Sequence, residues 1–146
     1  MWFKLKIDAT IQARMGSNRL PWKVLKNICG KPTVFIENGG EISALEFAKS
    51  LAISMDEILK RIPKDSVSAD QAYAIVNTRT NYSFKGKVFS SKGTEWTVIY
   101  SEEKGLAEAC YSRTIFVRPL DDLNEILNFI ELKSHQTLGL SIKESK

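Results

Sequence analysis

Arg14, Gly16, Ser17, Arg19 and Lys23 fall in one short stretch, "ARMGSNRLPWK", whose residue types suit the grip of a polyphosphate. Gly16 permits close approach of the backbone to a phosphate, and Ser17 offers a short hydroxyl donor. The three cations neutralise negative charge. The distribution of charge agrees with this reading. Residues 1–32 carry seven Lys/Arg against one acid, Asp8, or +6, whereas the remainder carries fourteen against sixteen, or −2. A basic head on a near-neutral body suits a polyphosphate better than a nucleic acid, because aromatics are not interleaved with the cations. The same lysines also fit a solvated face with no partner.

Other residues that can do chemistry are sparse. Cys29 and Cys110 are too few for a disulfide framework, and free thiols in a reducing cytoplasm are expected. His135 is the single histidine, so neither a His-based metal cluster nor an ordinary Cys-His pair assembles around it. Asp121 and Asp122 open a helical stretch, where capping is expected rather than metal binding. Arg113 and Arg118 flank a strand and can hold either a phosphate or an acid. Trp96 alternates with Val98 and Tyr100, the mark of a sheet face.

The elements that must position these residues alternate along the chain. Lys4–Ile11 and Thr33–Glu37 read as strands, the second ended by "NGG". From Glu41, Ile42, Leu45, Phe47, Ala48, Leu51 and Ala52 follow helical spacing. A separate helix is expected from Ser54, with Glu57 completing a capping box and Pro63 stopping it. Ser68 caps another, with Ala72, Ile75 and Val76 inward. "KGKVFSS" and "EWTVIYS" are strands joined through Lys92-Gly93, and "RTIFVRP" is a strand closed by Pro119. "DDLNEILNFIEL" is a helix with Leu123, Ile126, Leu127 and Ile130 on one face, and "QTLGLSI" is a final short strand. Strands separated by helices predict an α/β layer architecture.

With 146 residues, 43% hydrophobic and 26% charged, the chain has the composition of one soluble globular domain. No apolar run approaches the roughly 18 residues of a membrane span. The start, "MWFKLKIDAT", lacks the apolar segment of a signal peptide, so a cytoplasmic location is expected.

The opening stretch resembles the cytidylyltransferases that activate sugar acids with CTP. Their signature, Ala-Arg-x-Gly-Ser-x-Arg-Leu-x-x-Lys, is matched by Ala13, Arg14, Gly16, Ser17, Arg19, Leu20 and Lys23, with Trp22 where the family usually has Gly. The resemblance implies CTP with magnesium as ligand and the Arg and Lys residues on its phosphates. It ends near Pro32.

From Cys29 to Ile142 the chain resembles the C-terminal part of the luminescence-type fatty acyl-CoA reductases, relatives of aldehyde dehydrogenases. The likeness rests on "CGKPTVFIENGG", "EFAKSLA", "SADQAYAIVNTR", "KGTEWTVIYSEEKGL", "RTIFVRPLDDLNEIL" and "HQTLGLSI", in that order. It implies an incomplete aldehyde-dehydrogenase-like catalytic domain with a mostly parallel sheet flanked by helices. It also implies reduction of a fatty acyl thioester to an aldehyde with NADPH, through an acyl-enzyme on cysteine. Cys29 and Pro32 match that family's Cys-x-x-Pro before a strand, and Lys31 lies where it favours the thiolate.

The chain holds no dinucleotide fingerprint. A complementary polypeptide carrying the NADPH domain is therefore expected as partner, and the chain reads as a truncated or fused form. Residues 1–32 form a nucleotidyltransferase-like strand and loop, and residues 33–146 the reductase-like region, joined in one unit. Two other readings stand beside the reductase: a CTP-binding transferase remnant, and a non-catalytic module that associates through sheet edges.

Overall fold

The computed structural model describes residues 32–107, 110–111 and 113–129. The strands expected at Lys4–Ile11 and in "QTLGLSI", together with Ile130 and His135, lie outside the described residues. The elements in order are β1 (Thr33–Glu37), α1 (Ala44–Arg61), α2 (Ala69–Ser83), β2 (Gly86–Ser90), β3 (Thr97–Ser101), β4 (Thr114–Leu120) and a 3-10 helix, Leu123–Asn128. The four strands form one sheet in the order β1-β4-β3-β2. β4 pairs in parallel with β1 and with β3, while β2 and β3 form an antiparallel hairpin. The fold is mixed α/β with a mostly parallel sheet flanked by helices, as the sequence pattern predicts.

The pleat sends alternate residues to opposite faces. Val98, Val117 and Trp96 pack on one face against Ala44, Ala48, Ala52 and Met55 of α1. These four repeat at helical spacing, and three alanines let the helix axis come close to the sheet. On the other face Ile99, Phe116 and Ala107 form a second cluster with Tyr82 and Val88. Across this face the register aligns Val88 with Ile99, Ile99 with Phe116 and Phe116 with Thr33. Gly86 belongs to the hairpin because any Cβ there would collide with the Tyr100 carbonyl.

Four expectations are corrected. The helices expected on either side of Ser54 are one, α1, because no Gly or Pro interrupts residues 44–61. Ser54 Oγ donates back to the Ser50 carbonyl at 3.2 Å instead of capping. The true N-cap is Ser43, in a reciprocal capping box with Glu46. Val76, expected inward, is exposed, since α2 buries Ile75 and turns Tyr73 and Val76 outward.

Pro119 does not close β4, which runs on to Leu120. Phe116 N–H donates to the Pro32 carbonyl and the Leu120 carbonyl accepts from Asn38 N–H, so even-numbered residues of β4 bond to β1. Pro119 therefore turns its missing donor toward β3, beyond the last register pair, Tyr100 with Val117. Finally, the expected helix over 121–132 is, within the described residues, a 3-10 helix, and Leu127 is exposed.

Met55→Ala should lower unfolding free energy by about 2–5 kcal/mol, because it empties a buried site beneath the sheet. Ile53→Ala, on the exposed side of the same helix, should stay within about 0.5 kcal/mol. Urea denaturation of the two variants checks both.

Candidate functional site

Parallel strands gather their carboxyl ends on one side of a sheet, where α/β proteins place ligands. Here those ends are Glu37 and Asn38 after β1, Glu102 to Lys104 after β3, and Arg118 to Asp121 in and after β4. Two clefts open along this edge. The larger, about 670 Å³, is lined by Thr78 and Tyr82 of α2, residues 103, 104, 106 and 107 of the chain leaving β3, and Phe116 and Arg118 of β4. The smaller, about 340 Å³, is lined by Asn38, Tyr100, Glu102, Lys104, Pro119, Leu120 and Asp121. Lys104 borders both.

Arg118 organises the larger cleft. Its side chain is only 3% exposed, and a charge so placed must be paired and hydrogen-bonded. Nη1 donates to the carbonyls of Gly105 at 2.8 Å and Lys104 at 3.3 Å. Nη2 reaches Glu103 Oε2 at 3.2 Å and Tyr82 Oη at 3.4 Å. The guanidinium also lies over the Phe116 ring, 5.9 Å from its centroid. Tyr82 meets that ring edge-on, with centroids 5.2 Å apart.

The protonation states follow from these neighbours. The Lys85 ammonium, hydrogen-bonded to Glu103 at 3.0 Å, holds the Glu103 carboxyl below the usual carboxylate range, with Tyr82 and Arg118 adding to the effect. The same bond raises Lys85. Burial, then the Glu103 charge, pushes the Tyr82 phenol up, so it stays a neutral donor. At the rim, Lys104 bonds Glu125 Oε2 at 3.0 Å and is raised by it.

Of the sequence-derived candidates, Arg14, Gly16, Ser17, Arg19, Lys23 and Cys29 lie outside the described residues. Arg118 faces the cleft and pairs with an acid. Arg113 sits elsewhere, at φ 50°, with Nη1 on the Ile62 carbonyl at 3.2 Å, where it ties down the end of α1. Cys110 is half-buried and accepts from Thr78 Oγ1 at 3.5 Å. Asp122 caps the 3-10 helix through Asn124 N–H at 2.7 Å, and Asp121 accepts from Asn38 Nδ2 at 2.9 Å, so the capping expectation holds for Asp122. Trp96 lies on the sheet face, as expected, and its Nε1 donates to Asp56 Oδ1 at 3.0 Å.

Sequence reasoning missed Tyr82, Glu103 and Lys104. The signal for the last two was position: "SEEKG" directly follows a strand that enters a parallel sheet. Among the described residues there is no cluster of metal-ligating side chains and no helix long and apolar enough to cross a membrane. What this arrangement can do is bind and position, since it places no nucleophile beside a base.

A buried cation lies at the carboxyl edge of a mostly parallel sheet, the edge where α/β proteins place ligands, and comparison with known proteins makes the class specific. The model of the acyl-CoA reductase (LuxC) family matches residues 27–146, and the chain belongs to that family. A long-chain acyl-protein thioester reductase of Aliivibrio fischeri is 26% identical over 95 residues, which is 64% of this chain and 20% of that protein. The chain thus spans about a fifth of the length of the curated relative it matches. No solved structure matches.

Acidification should remove stability that Glu103 contributes. Its pKa is depressed in the folded chain, so the contribution is complete above the ordinary carboxylate pKa of about 4.3 and fades as pH falls through the lower folded value. Glu103→Gln should flatten the acid limb of urea midpoints measured from about pH 7 to about pH 3. Part of the limb should remain, because Glu46 and Glu95 are lowered too.

Proposed function

We propose that this chain is a working segment of a fatty acyl-CoA reductase, converting an acyl thioester to an aldehyde with NADPH in company with a complementary polypeptide. The observation that carries the reading is family membership across residues 27–146, which includes both the cleft and Cys29. In this reading Cys29, as thiolate, attacks the thioester carbonyl. A new carbon–sulfur bond forms, coenzyme A leaves as its thiol, and the acyl group stays on the protein.

NADPH does not fit the helix start that follows β1. The turn after β1 carries Gly39 and Gly40, but the helix that follows has its amino end occupied by the Glu46 carboxylate, which bonds Ser43 N–H at 3.0 Å and Ser43 Oγ at 2.7 Å. A phosphate brought there would meet a like charge. In this reading NADPH is held outside the described residues, and this chain supplies sheet, cleft and acyl-accepting thiol.

Incubation with labelled fatty acyl-CoA should mark wild-type protein and leave Cys29→Ser unmarked. Equal labelling of both ends the reading.

A second reading rests on the +6 charge of residues 1–32 and their Ala-Arg-x-Gly-Ser-x-Arg-Leu-x-x-Lys string, which precede or only touch the family match. There Arg14, Arg19 and Lys23 hold the phosphates of CTP with magnesium. CTP with magnesium should raise the melting temperature, and Arg14→Ala should abolish the rise. A melting temperature indifferent to CTP removes this reading.

A further inference from the structure

The hydrogen bonding around Arg118 is uneven. One contact, Gly105 O at 2.8 Å, is short, whereas the other three lie between 3.2 and 3.4 Å. Arg118 Nε and Ser101 Oγ have no partner among the described residues. These two atoms belong to adjacent strands and the same sheet face, since the register pairs Tyr100 with Val117 one residue earlier. The guanidinium thus has five N–H donors and a single charged partner. That partner, Glu103, is 38% exposed and is also held by Lys85.

Around the cleft Arg118, Lys85 and Lys104 face Glu103 and Glu125, with the charge of Asp121 also acting on Lys104, so an incoming anion must take the place of Glu103 on Arg118. Thr78 and Tyr82 add hydroxyls on the α2 wall, and Leu106, Ala107 and Phe116 supply apolar walls. Apolar walls lower the local dielectric and strengthen any ion pair formed between them. A planar guanidinium presented in such a setting matches the forked oxygens of a carboxylate or a phosphate.

We propose that the cleft between α2 and residues 103–107 is an oxyanion site. A phosphate or carboxylate group docks on Arg118, and Glu103 yields its place there while remaining bound to Lys85. The site goes beyond the reductase reading, because it draws on neither Cys29 nor the basic loop of residues 14–23.

The test is an NMR titration of the full chain carrying Arg14→Ala, Arg19→Ala and Lys23→Ala, which removes the competing cations of the loop. Inorganic phosphate and acetate are added separately at matched ionic strength, with chloride as the control. Saturable shifts are expected at the amides of Glu103, Lys104, Gly105 and Tyr82, and response to one anion alone assigns the site to esters of phosphate or to carboxylates. Glu103→Gln should tighten binding by roughly tenfold, the effect of freeing one charge-assisted hydrogen bond. Lys104→Ala, which alters an exposed side chain and spares the core, should weaken it. A merely structural Arg118 gives no saturable shift with either anion, or an affinity indifferent to Glu103→Gln, and either result overturns the proposal. Cys29→Ser should leave the titration unchanged, so failure of this site and failure of the acyl-transfer reading stay separate.

Discussion

β4 lies between β1 and β3 and runs parallel to both, so neither neighbour can reach it by a tight turn. Parallel neighbours need crossover connections, and those connections must lie on the faces of the sheet. The long path from β1 places α1 on one face, where Ala44, Ala48, Ala52 and Met55 meet Val98 and Val117. The path from β3 back to β4 lies over the other face, where Ala107 is buried with Ile99 and Phe116. Burial on both faces accounts for the nearly unbroken apolar run in "TVIYS" and "TIFV". It also means that a polar side chain in β4 points into the protein and must find partners there. Arg118 is that side chain, and the cleft is what its partners enclose.

Much of the architecture was legible because the strands carry strong local signals. Thr33–Glu37 was bounded correctly, and the β2–β3 hairpin followed from β-branched runs around Lys92-Gly93. The misreadings have distinct physical causes. Ser54 and Glu57 have capping-box spacing, but a box needs a chain entering the helix in an extended conformation. An unbroken helix gives Ser54 a carbonyl four residues back instead. Val76 is apolar yet outward because it lies on the side of α2 turned away from the sheet, whereas the opposite side buries Ile75 and carries Tyr82 onto Phe116. Pro119 has the chemistry of a terminator only on the side where its nitrogen points, and sequence alone does not reveal which side that is.

The candidate site was less legible. Arg113 and Arg118 were equivalent as letters. Pairing parity separates them: Arg118 shares a face with Phe116, whereas Arg113 precedes the strand and reaches back to Ile62. Glu103 and Tyr82 carry no motif, since their role depends on α2 and the β3–β4 crossover converging over β4, a long-range fact. The family match places the charged loop after β3 within the region shared with the acyl-CoA reductase (LuxC) family.

Pro119 carries one last consequence. Thr97 N–H takes the Arg113 carbonyl, and steps of two along the ladder bring the next open rung to position 119, opposite Ser101. The imino nitrogen has nothing to give, so the zipper between the two strands halts and the backbone after Ser101 peels away from the sheet. In the segment that follows, the Lys104 and Gly105 carbonyls accept from the guanidinium. The missing proton thus sits one residue beyond the arginine itself, where strand pairing gives way to the hollow.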